Sequence, residues 1–99
     1  MTLAEFKRTF GSKEPPAAAA APLQALWFAA KGEWDRAHAL VQDDDGIDAA
    51  WVHAYLHRVE GDLPNAGYWY RRAGRTAPTG TFESEWEELA AGLLDRTAA

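Results

Sequence analysis

Gly32-Glu33-Trp34-Asp35-Arg36-Ala37-His38-Ala39-Leu40-Val41 is echoed by Gly61-Asp62-Leu63-Pro64-Asn65-Ala66-Gly67-Tyr68-Trp69-Tyr70. In both, glycine is followed by an acid and an apolar residue, then Ala three places on and a large apolar residue four beyond it. The glycines at 32 and 61 stand 29 residues apart. A fixed period built from a helix-stopping turn, a small residue and a large apolar one is the signature of stacked helical hairpins.

The segments flanking each turn read as helices. Leu23, Leu26, Trp27 and Ala30 share a face over about 22–31, and Gly32 supplies the left-handed residue that ends the helix. The next helix covers about 34–42, with Trp34, Ala37, His38, Leu40 and Val41. Ile47, Ala50, Trp51, Ala54 and Tyr55 form a stripe on a helix over 47–60, stopped by Gly61. Asp62 caps the following helix, which runs to about Ala73, and Pro64 sits in its first turn, where a missing amide is harmless. Ala66, Trp69, Tyr70 and Ala73 make its buried face.

Outside this centre, Thr2-Leu3-Ala4-Glu5 is a capping box that starts a short helix over 2–10, with Leu3, Phe6 and Phe10 on one side. Ser12 to Pro16 is a linker. The alanine run 17–21 has high helix propensity, but Pro22 moves the helix start to its own position. Thr81 caps a last helix over 82–95, whose apolar face is Phe82, Trp86, Leu89, Leu93 and Leu94; Glu83 and Glu85 suit its positive end. No strand pattern of useful length appears. The organisation expected is a short N-terminal helix and linker over 1–16 and a single helical domain over 17–99. The fold class is all-α with about five helices, in two stacked hairpins plus a C-terminal helix.

The paired glycine-acid-apolar-x-x-Ala pattern resembles the tetratricopeptide (TPR) and Sel1-like helical repeats over about residues 23–74. Asp62 to Ala73, DLPNAGYWYRRA, looks most like the second helix of a Sel1-like unit. The spacing of 29 is shorter than the usual tetratricopeptide period of roughly 34. Residues 50–74 are also similar to a family of small bacterial proteins that carry WVHAYLHR followed by YWYRRAGR, a family that brings no activity with it. The repeat resemblance implies a protein-binding scaffold, and the second resemblance implies a bacterial source.

Composition narrows the function classes. At 99 residues the chain suffices for one core, and 47% hydrophobic and 12% aromatic residues, with five tryptophans, can fill it. A net charge of −5 repels phosphate backbones, which argues against nucleic acid as a partner. The lack of cysteine excludes disulfides, thiolate catalysis and Cys-based zinc sites. No apolar run has the length of a signal peptide or a membrane span, so a cytoplasmic protein with no membrane role is expected.

Two constellations could carry chemistry. His53 and His57 are four apart on a helix, so both imidazoles lie on one face, one turn apart, as in chelating pairs. Glu60 continues their stripe. At about 100° per residue these three fall opposite Trp51 and Tyr55, toward solvent or a groove. His38, on the neighbouring helix, is the candidate third ligand. Ala54 stands where an HExxH protease would need Glu. The plainer reading is surface histidines, or histidines bonded to a neighbouring loop. The second constellation is Arg58, Arg71, Arg72 and Arg75, with Tyr68 one turn from Arg71 and Arg72. It reads as a carboxylate clamp or, more plainly, as ion pairs with Asp62, Asp43–Asp45 or the glutamates at 83, 85, 87 and 88. The Asp43-Asp44-Asp45-Gly46 turn lacks the spacing of a calcium loop and reads as a solvated turn with one Asp capping the next helix.

The function expected is a non-catalytic helical-repeat interaction module for a protein or peptide partner, or for a second copy of the chain as a homodimer. Its binding surface would carry His53, His57, Arg58, Tyr68, Arg71 and Arg72. The alternative is a small-molecule or metal-binding protein, catalytic or not, with His38, His53 and His57 as metal ligands and the Arg cluster beside them. No catalytic triad, phosphate loop or cofactor motif is present in the sequence.

Overall fold

The computed structural model describes residues 1–98. Those residues form an all-α structure of six helices: α1 (Leu3–Arg8), α2 (Ala21–Ala30), α3 (Trp34–Val41), α4 (Ile47–Glu60), α5 (Leu63–Arg72) and α6 (Phe82–Ala98). No strand occurs among the described residues, and none of their helices is long and apolar enough to cross a membrane.

The two echoed turns close alike. Gly32 N donates to Ala29 O at 3.0 Å and Glu33 N to Phe28 O at 2.9 Å. Gly61 N donates to Arg58 O at 3.1 Å and Asp62 N to His57 O at 2.9 Å. This pair of bonds is a Schellman motif, and it needs a left-handed residue. The two glycines supply it, with φ of 77° and 89°. After each turn the chain reverses, so α3 packs on α2 and α5 packs on α4. Ala37 and Ala66, both buried, stand at the same place in the two units and keep the helices close.

The echo fails at the residue after the acid. Trp34 is half-buried, and its Nε1 donates to Leu56 O on α4 at 2.7 Å. Leu63, its counterpart, is 65% exposed. The reason is order in the stack: α3 has α4 beside it, whereas α5 is the outermost helix of the two hairpins.

α4 is the hub, packed by α2, α3, α5 and α6. Every residue from Ala49 to His57 is buried. Its Trp51 side meets α6, where the ring lies 3.5 Å from the position of a Cβ added at Gly92. α1 and a following 3₁₀ turn (Thr9–Gly11) fold back onto α6, adding a sixth helix to the five expected in the body of the domain. Phe6 is fully buried there, beside Trp86 and Phe10. Indole N–H groups in this region find partners: Trp27 on Thr9 Oγ1 at 3.0 Å, Trp86 on Leu26 O at 2.8 Å. A buried indole left unpaired would carry a desolvation cost, so these bonds keep the aromatic core favourable.

The capping predictions at Thr2, Asp62 and Thr81 match the structure. Other expectations need correction. The opening helix stops at Arg8 rather than residue 10, and the 3₁₀ turn takes over. Ile47 and Phe82 are 61% and 47% exposed, because both open a helix at the molecular surface before its neighbours begin. No Asp side chain caps α4; Asp44 Oδ1 instead accepts from Gly46 N at 2.8 Å within the turn.

Candidate functional site: a three-histidine cluster between α3, α4 and α5

His53 and His57 do not face solvent. They share a side of α4 opposite Trp51 and Tyr55, as the helical period requires, but α3 and α5 cover that side. His53 is 4% exposed and His57 6%. A helix wrapped on both sides has no outward face, so the polar stripe becomes a second, aromatic interface.

Helical spacing builds the cluster. His38 lies one turn after Trp34 on α3, and the two rings stack at 4.7 Å with planes 10° apart. His38 reaches across to α4, where its Nε2 sits 3.0 Å from His53 Nε2. His53 and His57, one turn apart, have ring centroids separated by 4.7 Å. From α5, the Trp69 ring stacks on His53 at 4.0 Å. Asn65, at the third position of α5, places Nδ2 3.2 Å from His57 Nε2. Glu60, one turn on from His57, places Oε2 2.5 Å from His57 Nδ1. With the Asn65 amide as donor, Nε2 is an acceptor and the His57 proton resides on Nδ1, directed at Glu60.

One ring nitrogen from each of His38, His53 and His57 lies within 4.8 Å of the others. The surroundings disfavour positive charge on His38 and His53. Burial, then the neighbouring His38 and His57, pull the His53 imidazole down to about 4. Burial and then His57 lower His38 as well. Both rings are therefore neutral at physiological pH. The short Nε2–Nε2 contact satisfies one nitrogen on each, but His53 Nδ1 is buried without a hydrogen-bond partner. An orphaned buried polar atom is rare in a folded protein and points to strain or to a role.

The six residues expected on one binding surface separate into three places. His53 and His57 are interior. Arg58 leaves α4 toward α6, where its guanidinium bonds Glu85 Oε1 at 2.9 Å and the Gly80 carbonyl. Tyr68, Arg71 and Arg72 lie on the outside of α5, with the Arg72 guanidinium 4.9 Å from the Trp69 ring centre. Arg75 covers Trp51 at 3.6 Å. So the basic cluster of the sequence is dispersed: Arg58 is spent on a carboxylate, Arg72 and Arg75 lie on aromatic rings, and Arg71 is exposed on the outside of α5. The plainer ion-pair reading holds for Arg58 with Glu85.

Sequence reasoning did not anticipate Trp34, Asn65 and Trp69 as walls of the cluster. A signal for Trp34 was present, since it stands four residues before His38. Nothing local marks Asn65 or Trp69, which arrive from another helix. Glu85, expected at the positive end of the last helix and as an arginine partner, is 2% exposed and also accepts from the Tyr70 hydroxyl.

No family model, curated protein or solved structure matches this chain.

Proposed function

We propose that this protein binds one first-row transition-metal ion, Zn²⁺ foremost, through His38, His53 and His57. The observation that carries the proposal is the convergence of three imidazoles from two helices, with Glu60 on the far nitrogen of His57. Three histidines with an open fourth position are a recurring zinc ligand set. A carboxylate behind a ligating histidine fixes its tautomer and strengthens it as a donor. Tetrahedral zinc with Zn–N near 2.0–2.1 Å sets ligand nitrogens roughly 3.3 Å apart. The His38 and His53 Nε2 atoms, at 3.0 Å, are within a few tenths of an ångström of that. His57 joins them by giving up the Asn65 amide, which the exposed start of α5 can release.

Imidazole ligands suit zinc, copper and nickel rather than calcium or magnesium. A thermal melt with and without Zn²⁺ tests the reading. Metal at about a hundred times Kd adds about 2.7 kcal/mol to the folded state. The melting temperature should therefore rise by several degrees, and the rise should vanish in His38→Gln.

A second reading is the helical-repeat interaction module, working by protein or peptide binding or by self-association. It is supported by the outer side of α5, where Leu63 is 65% and Tyr68 46% exposed beside Arg72. Tyr and Arg are typical interface anchors. Sedimentation equilibrium tests the self-association form: a dimer weakened by Tyr68→Ala supports it, and a wild-type monomer at high concentration removes it.

A further inference from the structure

On the side of α4 away from the histidines, a cavity of about 350 Å³ opens between α1, α2, α4 and α6. Aromatic rings form its walls: Phe10, Tyr55, Phe82 and Trp86. Phe10 and Trp86 meet at 67° with centroids 5.9 Å apart, making a corner of two near-perpendicular rings. Lys7, Glu83 and Glu87 line it, and the Arg58 guanidinium, paired with Glu85, lies over the Phe82 ring 4.9 Å from its centre, which leaves Phe10, Tyr55 and Trp86 as the open rings. Lys7 Nζ is bound to Glu87 Oε1 at 2.6 Å, so these two cancel. Glu83 has no ion-pair partner among the described residues and leaves the cavity net negative.

Tyr55 is the informative wall. It is 7% exposed, yet its hydroxyl makes no hydrogen bond to the described residues. Burial, then the carboxylate of Glu85, push its phenol up to about 12, and Glu83 acts in the same direction against the opposing Arg58. The phenol is thus neutral, and its oxygen is an unbonded acceptor at the open side of the cavity.

We propose that this cavity is a second binding site, independent of the histidine cluster, for a small organic cation of the alkylammonium class. Ring faces attract a cation whose charge is spread over methyl groups, and the attraction grows as water is excluded. Glu83 adds long-range attraction, and the Tyr55 oxygen adds partial negative charge toward the polarised N-methyl groups. An anion would find Lys7 already occupied and two carboxylates facing it. A neutral apolar guest would leave the Tyr55 hydroxyl and Glu83 unused. The cavity falls in the size range of small-molecule sites.

The test is a ¹⁵N NMR titration of the intact protein with choline and, separately, with its uncharged isostere 3,3-dimethylbutan-1-ol. Saturable shifts at the Trp86 indole and around Tyr55 are expected, with choline bound about tenfold more tightly than the alcohol. Glu83→Gln, an exposed change that leaves the core intact, should weaken choline several-fold and leave the alcohol unchanged. Tyr55→Phe should weaken choline more than the alcohol, with the fold retained; equal weakening of both would assign Tyr55 to the shared hydroxyl and overturn its part in holding the cation. Equal affinity for the two probes, or no saturation by choline up to about 20 mM, overturns the proposal. A trimethyl-lysine peptide and phosphatidylcholine vesicles identify the source of the headgroup: stronger binding than free choline by either assigns it, and free choline strongest assigns a soluble metabolite.

Discussion

His53 on α4 and Trp69 on α5 stack face to face, with ring centroids 4.0 Å apart and planes inclined by 17°. The contact joins the two helices of the second hairpin and closes one side of the histidine cluster. It also explains why a polar ring is tolerated in the interior. Trp69 shields His53 from water, and the neutral imidazole presents an aromatic face in return.

Replacing Trp69 by Ala should therefore do two things. It removes a large half-buried ring, lowering stability by about 2–4 kcal/mol. It also admits water to His53, whose pKa should climb from about 4 toward the ordinary 6.5. Histidine ¹H NMR titration of the variant reads the second effect directly, and an unmoved His53 would show that burial by Trp69 is not its cause.

Stability of the metal-free protein should fall on mild acidification. The folded pKa of His53 lies below that of an unfolded histidine, so the unfolded chain takes up the proton first. The contribution is complete above pH about 6.5, declines as pH falls, and is exhausted near pH 4. Across that window His53 accounts for a loss on the order of 3 kcal/mol, and His38 adds to it in the same direction. Urea melts in chelator between pH 7 and 4 check this; His53→Gln should flatten the slope.

Glu85 and Arg58 should prove strongly coupled. Their 2.9 Å contact is sheltered, with side-chain exposures of 2% and 13%. Breaking a buried pair by removing one partner costs about 3–5 kcal/mol, whereas an apolar pair of similar size can be near neutral. Glu85→Leu should thus lose several kcal/mol, and adding Arg58→Met should restore most of it. A double-mutant cycle by denaturant unfolding gives the coupling; additive effects would contradict it.

Ala66 tests the repeat register. It is 2% exposed, at the place where α5 crosses α4. Ala66→Leu overpacks that crossing and should cost about 1–3 kcal/mol. An unchanged melting temperature would place Ala66 elsewhere.

The helices were legible where local chemistry fixes them. The α4 bounds, Ile47 to Glu60, follow from a Gly-containing turn before it and Gly61 after it. The Schellman turns and the caps at Thr2, Asp62 and Thr81 depend on neighbours within a few residues, so pattern suffices. The environment of the histidines was not legible. A helical period shows that His53 and His57 share a side, but not that α3 and α5 cover it. The burial of Glu85 was not legible for the same reason: the groups that hold it, Arg58 and Tyr70, lie 27 and 15 residues away. His38 as the third member was legible, because the hairpin period sets α3 beside α4.

The most direct test of the central claim is native mass spectrometry on untagged protein purified without chelator and supplied with one equivalent of Zn²⁺. The account predicts a single bound zinc per chain that survives buffer exchange and is lost in His38→Gln with the fold intact by circular dichroism. A bare chain, or zinc retained equally by the variant, would contradict a metal site at His38, His53 and His57.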